Sequence, residues 1–199
     1  QYLKEFSDKY AKNVSLPFVI DVSPLTVNTE KAKLLKDMGC LSASMGFETG
    51  NEEFRKDQNK AVSSKQAIKA FHALADVKIR TVSFNMLGFP GETRNLIFDT
   101  IEFMRVAKVH SPSISFVYPF KGTVLREQVM RENLFDPVVE EYGTAQWCRD
   151  YPAIKNPNIS IEEYAGIFRT FILYCKMPKK YWADLKIAEK LNAQGDKMI

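Results

Sequence analysis

Three short turns carry the residues best placed to do chemistry: Gly46-Phe47-Glu48-Thr49-Gly50, Gly88-Phe89-Pro90-Gly91-Glu92-Thr93 and Tyr118-Pro119-Phe120-Lys121-Gly122-Thr123. The first holds a carboxylate. At the end of a strand, Glu48 can accept two hydrogen bonds from a ribose diol or one from an ammonium. It can equally form an ion pair with a neighbouring Lys or Arg. The second turn sets two glycines and a proline ahead of a helix, so that backbone can approach a ligand closely. Glu92 and Thr93 stand where a carboxylate or hydroxyl caps free N–H groups, worth about 0.5–2 kcal/mol. The third turn joins strand to helix through Pro and Gly. Strand backbone there can hydrogen-bond a planar base, although an ordinary connection has the same composition. No GK[ST] follows the glycines and no GxGxxG is present, which excludes a phosphate loop and a dinucleotide fingerprint.

The elements that position these turns follow from hydrophobic period. Residues 1–14 carry Leu3, Phe6, Tyr10 and Val14 at helical spacing. A strand over 18–23 follows Pro17, then a helix over 30–38 that Gly39 stops in a left-handed conformation. Strands are predicted over 41–47, 79–87 and 114–117, and helices over 51–57, 93–107 and 123–132. Ser63-Ser64-Lys65-Gln66 reads as a capping box opening a helix through Ala75. One helix followed by four βα units means an α/β fold with a parallel sheet. Its three turns share the face where such folds place their chemistry. Four units cannot close an eight-stranded barrel, so the expectation is a partial TIM barrel over 1–132, its first strand presenting an open edge. Residues 133–158 carry Pro137, Pro152 and Pro157 and little periodicity. Ser160 opens an apolar helix, and a last helix is predicted over 178–193. Residues 133–199 thus read as an irregular linker and a helical extension.

Composition excludes several functions. The 199 residues are 45% apolar and 26% charged, which is globular rather than disordered. A net charge of +4 without a basic stripe argues against nucleic acid as partner. No apolar run is long enough to span a membrane, and the charged N-terminus is no signal peptide. Cys40, Cys148 and Cys175 lack metal-ligand spacing and read as small buried hydrophobes, in keeping with a cytoplasmic location. His72 and His110 lack partner ligands. Tyr164, Phe168, Phe171, Tyr174, Tyr181 and Trp182 read as packing. No catalytic or metal-ligating residue is assigned.

Taken in order, the turns resemble a family. Gly39-Cys40, Gly46 to Gly50, Asn51 to Lys56, Gly88 to Thr93 and Tyr118 to Thr123 resemble the later part of a radical S-adenosylmethionine catalytic domain. The likeness runs from Leu16 to Leu125 and is to the subgroup that often carries an upstream cobalamin-binding domain. The resemblance implies a partial TIM barrel, often of six βα units, with a 4Fe–4S cluster held by an N-terminal CxxxCxxC loop. The cluster reductively cleaves S-adenosylmethionine to a 5′-deoxyadenosyl radical. It also implies that Glu48 reaches the ribose or amino group of the cofactor, with Ser44 facing the same pocket. Asn85, Met86 and Gly88 line the cofactor, and the backbone of Phe116, Val117 and Tyr118 contacts adenine.

CxxxCxxC is absent, and with it the first two βα units of that family. The expectation is therefore a fragment, opening at Gln1 within a helix, that holds the ribose and adenine side of the cofactor and is inactive alone. Its partner is the missing N-terminal part of the same polypeptide, and the substrate is a small molecule or lipid. The tail beyond Asn133 does not resemble the RNA-binding appendage of tRNA methylthiotransferases. The competing reading is a naturally short barrel half that binds without catalysis, its edge covered in a homodimer. A lyase or aldolase barrel would want a Schiff-base lysine or metal triad at the strand ends.

Overall fold

A computed structural model describes residues 2–58, 62–135, 139 and 151–199. Helix α1 (Tyr2–Asn13) precedes β1 (Phe18–Asp21), α2 (Thr29–Asp37), β2 (Cys40–Glu48), α3 (Glu52–Asp57), α4 (Ser64–Asp76), β3 (Arg80–Leu87), α5 (Arg94–Val106), β4 (Ser111–Phe116) and α6 (Val124–Arg131). The four strands are parallel and stand in the order β1-β2-β3-β4. This is the predicted alternation, with boundaries moved by a few residues. Local chemistry explains the starts and stops. The Asn28, Asn51 and Thr123 side chains accept from the third backbone N–H of α2, α3 and α6. Ser63 and Gln66 complete the capping box of α4. Gly39 ends α2 at φ +94°, a conformation that costs glycine little.

The chain divides into two compact units. The first comprises Gln1–Phe84 and Glu102–Ser113; the second comprises Asn85–Ile101 and Ile114–Ile199. In the first, Phe47 stacks on Phe103 with ring centroids 3.8 Å apart, and Phe71 meets Phe103 edge-on. Ala32, Ala43, Met45, Leu74 and Ile79 complete this core. Strand β1 lies at the end of the strand order, and Val19 on it is 72% exposed.

The second unit carries α7 (Ile161–Lys176), a 3-10 turn over Lys179–Tyr181, α8 (Trp182–Ala188) and α9 (Ala193–Asp196). Phe116 stacks on Phe168 and meets Tyr164 edge-on. Phe98, Tyr174 and Trp182 form a second aromatic group. The expected single helix over 178–193 is thus broken. Glu189, just past α8, is tethered: its carboxylate accepts from Arg94, Tyr174 and Lys186. Burial opposes its charge, yet these donors hold its carboxyl below the usual range. Asn192 then caps α9 as a separate helix, accepting from the Gln194 and Gly195 N–H groups. Of the predicted linker, Phe135 and Ile154 form an antiparallel bridge; Pro137 and Cys148 lie outside the described residues.

Gly166 lets α7 approach Glu189. A Cβ at Gly166 would stand 2.5 Å from the Glu189 carbonyl oxygen. Gly166→Ala should therefore lower stability by about 1–3 kcal/mol in urea unfolding, against the gain of about 1 kcal/mol that helix propensity alone predicts. A stabilised variant would show that this contact yields freely.

Candidate functional site

In the first unit, β2 delivers Ser44, half-buried, and ends at Glu48. The Thr49 N–H donates to the Phe47 carbonyl at 3.0 Å, so these residues form a γ-turn centred on Glu48, whose φ is +69°. A turn of this hand is rare and strained. The carboxylate folds back over Gly46, where a Cβ would stand 3.1 Å from Glu48 Oε1. A glycine at this position clears that space.

Beneath this turn lies Arg55, on α3 and fully buried. Its Nη1 donates to the carbonyls of Thr49 at 2.6 Å and Gly50 at 3.3 Å. Nε donates to Val62 and Nη2 to Ser64 Oγ. The guanidinium carbon sits 4.2 Å from the centroid of the Phe47 ring. Burial pushes its pKa down, and the Glu52 carboxylate at 3.8 Å partly offsets this. The sequence predicts a short charged helix over 51–57 and does not single out Arg55. The available signal was that so short a helix has few apolar residues to turn inward.

In the second unit, β3 runs through buried Asn85 and half-buried Met86 to Gly88 at φ +90°. The Gly88 N–H donates to Glu92 Oε2 at 2.7 Å, and the Tyr164 hydroxyl donates to the same oxygen at 3.0 Å. Asn156 Nδ2 donates to the carbonyls of Phe89 and Glu92 and to Tyr164 Oη. The expected capping role therefore divides. Thr93 accepts from the Leu96 N–H at 3.4 Å, whereas Glu92 is buried and closes the turn on itself. Burial pushes the Glu92 carboxyl up to about 7, against the hydrogen bonds from Gly88 and Tyr164. Burial and the Glu92 charge together push Tyr164 up as well. Tyr164 and Tyr174 thus do more than pack.

After β4, the Val117 N–H donates to the Leu87 carbonyl at 2.8 Å. A Cβ at Gly88 would lie 3.5 Å from Phe116 and 3.8 Å from Val117. Gly88, Phe116 and Val117 are therefore neighbours, and Tyr118 follows, edge-on to Phe120. Of the eight predicted cofactor residues, Ser44 and Glu48 belong to the first unit and the other six to the second.

The donor set for an iron–sulfur cluster does not fit. Cys40 and Cys175 are both buried, one in each unit, and burial raises the Cys40 thiol pKa. Among the described residues no group of three His, Cys, Asp or Glu is placed to hold a metal. Nor is any helix among them long and apolar enough to cross a membrane.

The Radical SAM superfamily model matches residues 2–104. The chain belongs to the radical S-adenosylmethionine superfamily. An uncharacterized methyltransferase, PH0819 of Pyrococcus horikoshii, is 25% identical over 165 residues, spanning 80% of this chain and 34% of that protein. Biotin synthase of Persephonella marina is 32% identical over 111 residues, 56% of this chain and 32% of that protein. The chain thus spans about a third of the length of the curated relatives it matches. Among solved structures, the radical S-adenosylmethionine methyltransferase TsrM of Kitasatospora setae, with cobalamin and a [4Fe-4S] cluster bound, superposes with a TM-score of 0.57. It is 15% identical, with 65% of this chain and 27% of that chain covered. The four parallel strands alternating with helices make an α/β fold like part of a radical S-adenosylmethionine barrel, followed here by a helical part.

Glu92 gives this member of the superfamily a pH signature. Its carboxyl titrates near 7 when folded, against an ordinary value of 4.5. The folded state therefore holds more protons between those values, so stability falls as pH rises through the window and levels above it. Relative to Glu92→Gln, the wild type should lose about 3 kcal/mol between pH 4.5 and 7 in denaturant titrations. Parallel profiles for the two proteins would place the proton elsewhere.

Proposed function

We propose that this chain is the S-adenosylmethionine-binding part of a radical enzyme of the methyltransferase or Fe–S oxidoreductase type, related to those that use cobalamin. The observation that carries the reading is the Glu48 carboxylate, folded over Gly46 on a strained turn in a chain whose residues 2–104 match the superfamily. In the first unit, Glu48 accepts hydrogen bonds from the ribose hydroxyls or the amino group, with Ser44 four residues earlier on β2. In the second, Asn85, Met86 and Gly88 line the cofactor, and the strand backbone from Phe116 to Tyr118 meets adenine. When bound, S-adenosylmethionine supplies a cleavable carbon–sulfur bond for radical or methyl-transfer chemistry.

The cluster belongs to a preceding segment of a longer polypeptide. Two facts support this: the sequence lacks CxxxCxxC, and the curated relatives are about three times the length of the aligned region. The exposed edge of β1 suits a parallel strand from that segment. The substrate is a small molecule or lipid, and buried free thiols suit a reducing cytoplasm. Alone, the chain binds and does not turn over.

Isothermal titration with S-adenosylmethionine should detect binding to this chain. Glu48→Gln should weaken it about tenfold, the value of a charge-assisted hydrogen bond. No binding by the wild type overturns the reading. Anaerobic iron–sulfur reconstitution should yield no stoichiometric cluster, and a clean 4Fe–4S spectrum would overturn the assignment of the cluster to another segment.

A further inference from the structure

We propose that Arg55 is a positioning residue: it holds the Phe47–Gly50 turn in its strained form and so fixes the Glu48 carboxylate over Gly46. The ligand-binding side of this inference rests on the reading of Glu48 given above; the hold on the turn does not. Three observations carry it. First, Arg55 grips both sides of Glu48. The Phe47 ring lies under the guanidinium, and the Thr49 and Gly50 carbonyls accept from Nη1. Second, Glu48 sits at φ +69°, which a non-glycine residue leaves unless its surroundings over-determine it. Third, the arrangement is a poor way to fill space.

The last point follows from electrostatics. The guanidinium is fully buried, and the Glu52 carboxylate stands 3.8 Å away, accepting instead from the Ser64 N–H at 2.8 Å. A buried charge whose counterion stands beyond hydrogen-bonding distance is costly, and an apolar side chain of similar volume is often at least as stable. What arginine supplies is a rigid planar fork that reaches several carbonyls at once. A lysine ammonium at the same place cannot span Val62, Thr49 and Ser64 together. Gly46 adds the matching half of the device, since its missing side chain leaves the carboxylate its seat.

The hold on the turn is read by melting temperature. With Arg55 present, Glu48→Gly should melt about 2–4 °C above Glu48→Ala, because glycine relieves the positive-φ strain. In an Arg55→Lys background that gap should close, since the turn is then free to relax. A gap that persists overturns the proposal. Arg55→Met, which keeps the length and removes the charge, serves the same comparison if the lysine variant does not fold. The consequence for the ligand is read by titration with S-adenosylmethionine. Arg55→Lys should lose about tenfold in affinity, as Glu48→Gln does, and the double variant should be no weaker than either single one. Wild-type affinity in Arg55→Lys, or additive losses, overturns the role toward Glu48. If the gap closes but the wild type binds no S-adenosylmethionine, the cofactor reading fails while Arg55's hold on the turn stands.

Discussion

A turn at the mouth of a buried strand leaves backbone carbonyls and amides that sheet and helix no longer serve, and few waters reach them. Both units meet this demand with a buried ionisable side chain. In the first, the Arg55 guanidinium donates to the carbonyls of Thr49, Gly50 and Val62. In the second, the Glu92 carboxylate accepts from the Gly88 amide, with the Tyr164 hydroxyl on the same oxygen. A cation answers carbonyls and a carboxylate answers an amide. Each group sits at the foot of its turn, so the backbone above it keeps one shape.

That arrangement divides labour within each turn. The residues proposed to meet the cofactor are not the ones that hold the turn. Glu48 stands on a γ-turn that Arg55 secures, and Gly88 reaches Phe116 and Val117 while Glu92 ties its amide down. The expense is buried charge. Arg55 is pushed below its ordinary pKa, and Glu92 is pushed to where it gains a proton near neutrality. A ligand with several hydrogen-bonding groups gains from such stiffness, because less freedom is lost on binding.

Local signals were legible wherever the partners lie close in the chain. The Ser63–Gln66 capping box, the Gly39 stop and the Thr93 cap each involve residues within a turn of helix, and the structure contains all three. The alternation of strand and helix was legible for the same reason. The last helix reads as continuous because its apolar period runs on, whereas in the structure Asn192 caps a separate α9 and the Glu189 side chain is tied to the distant Arg94. Glu92 reads as a cap in the sequence because its partners, Tyr164 and Asn156, lie far along the chain. Arg55 escaped notice because a charged residue in a charged helix looks solvent-facing.

The sequence by itself determined the order of elements, the three turns and the family they resemble, since hydrophobic period, capping residues and glycine positions act over a few residues. Only the tertiary structure decided which side chains those turns stand on. Whether an Arg or a Glu is solvated or buried depends on what packs over it, and that packing joins residues as distant as Glu92 and Tyr164. The strain at Glu48 belongs to the same class: nothing in Gly46 to Gly50 demands it, and the guanidinium below holds it in place.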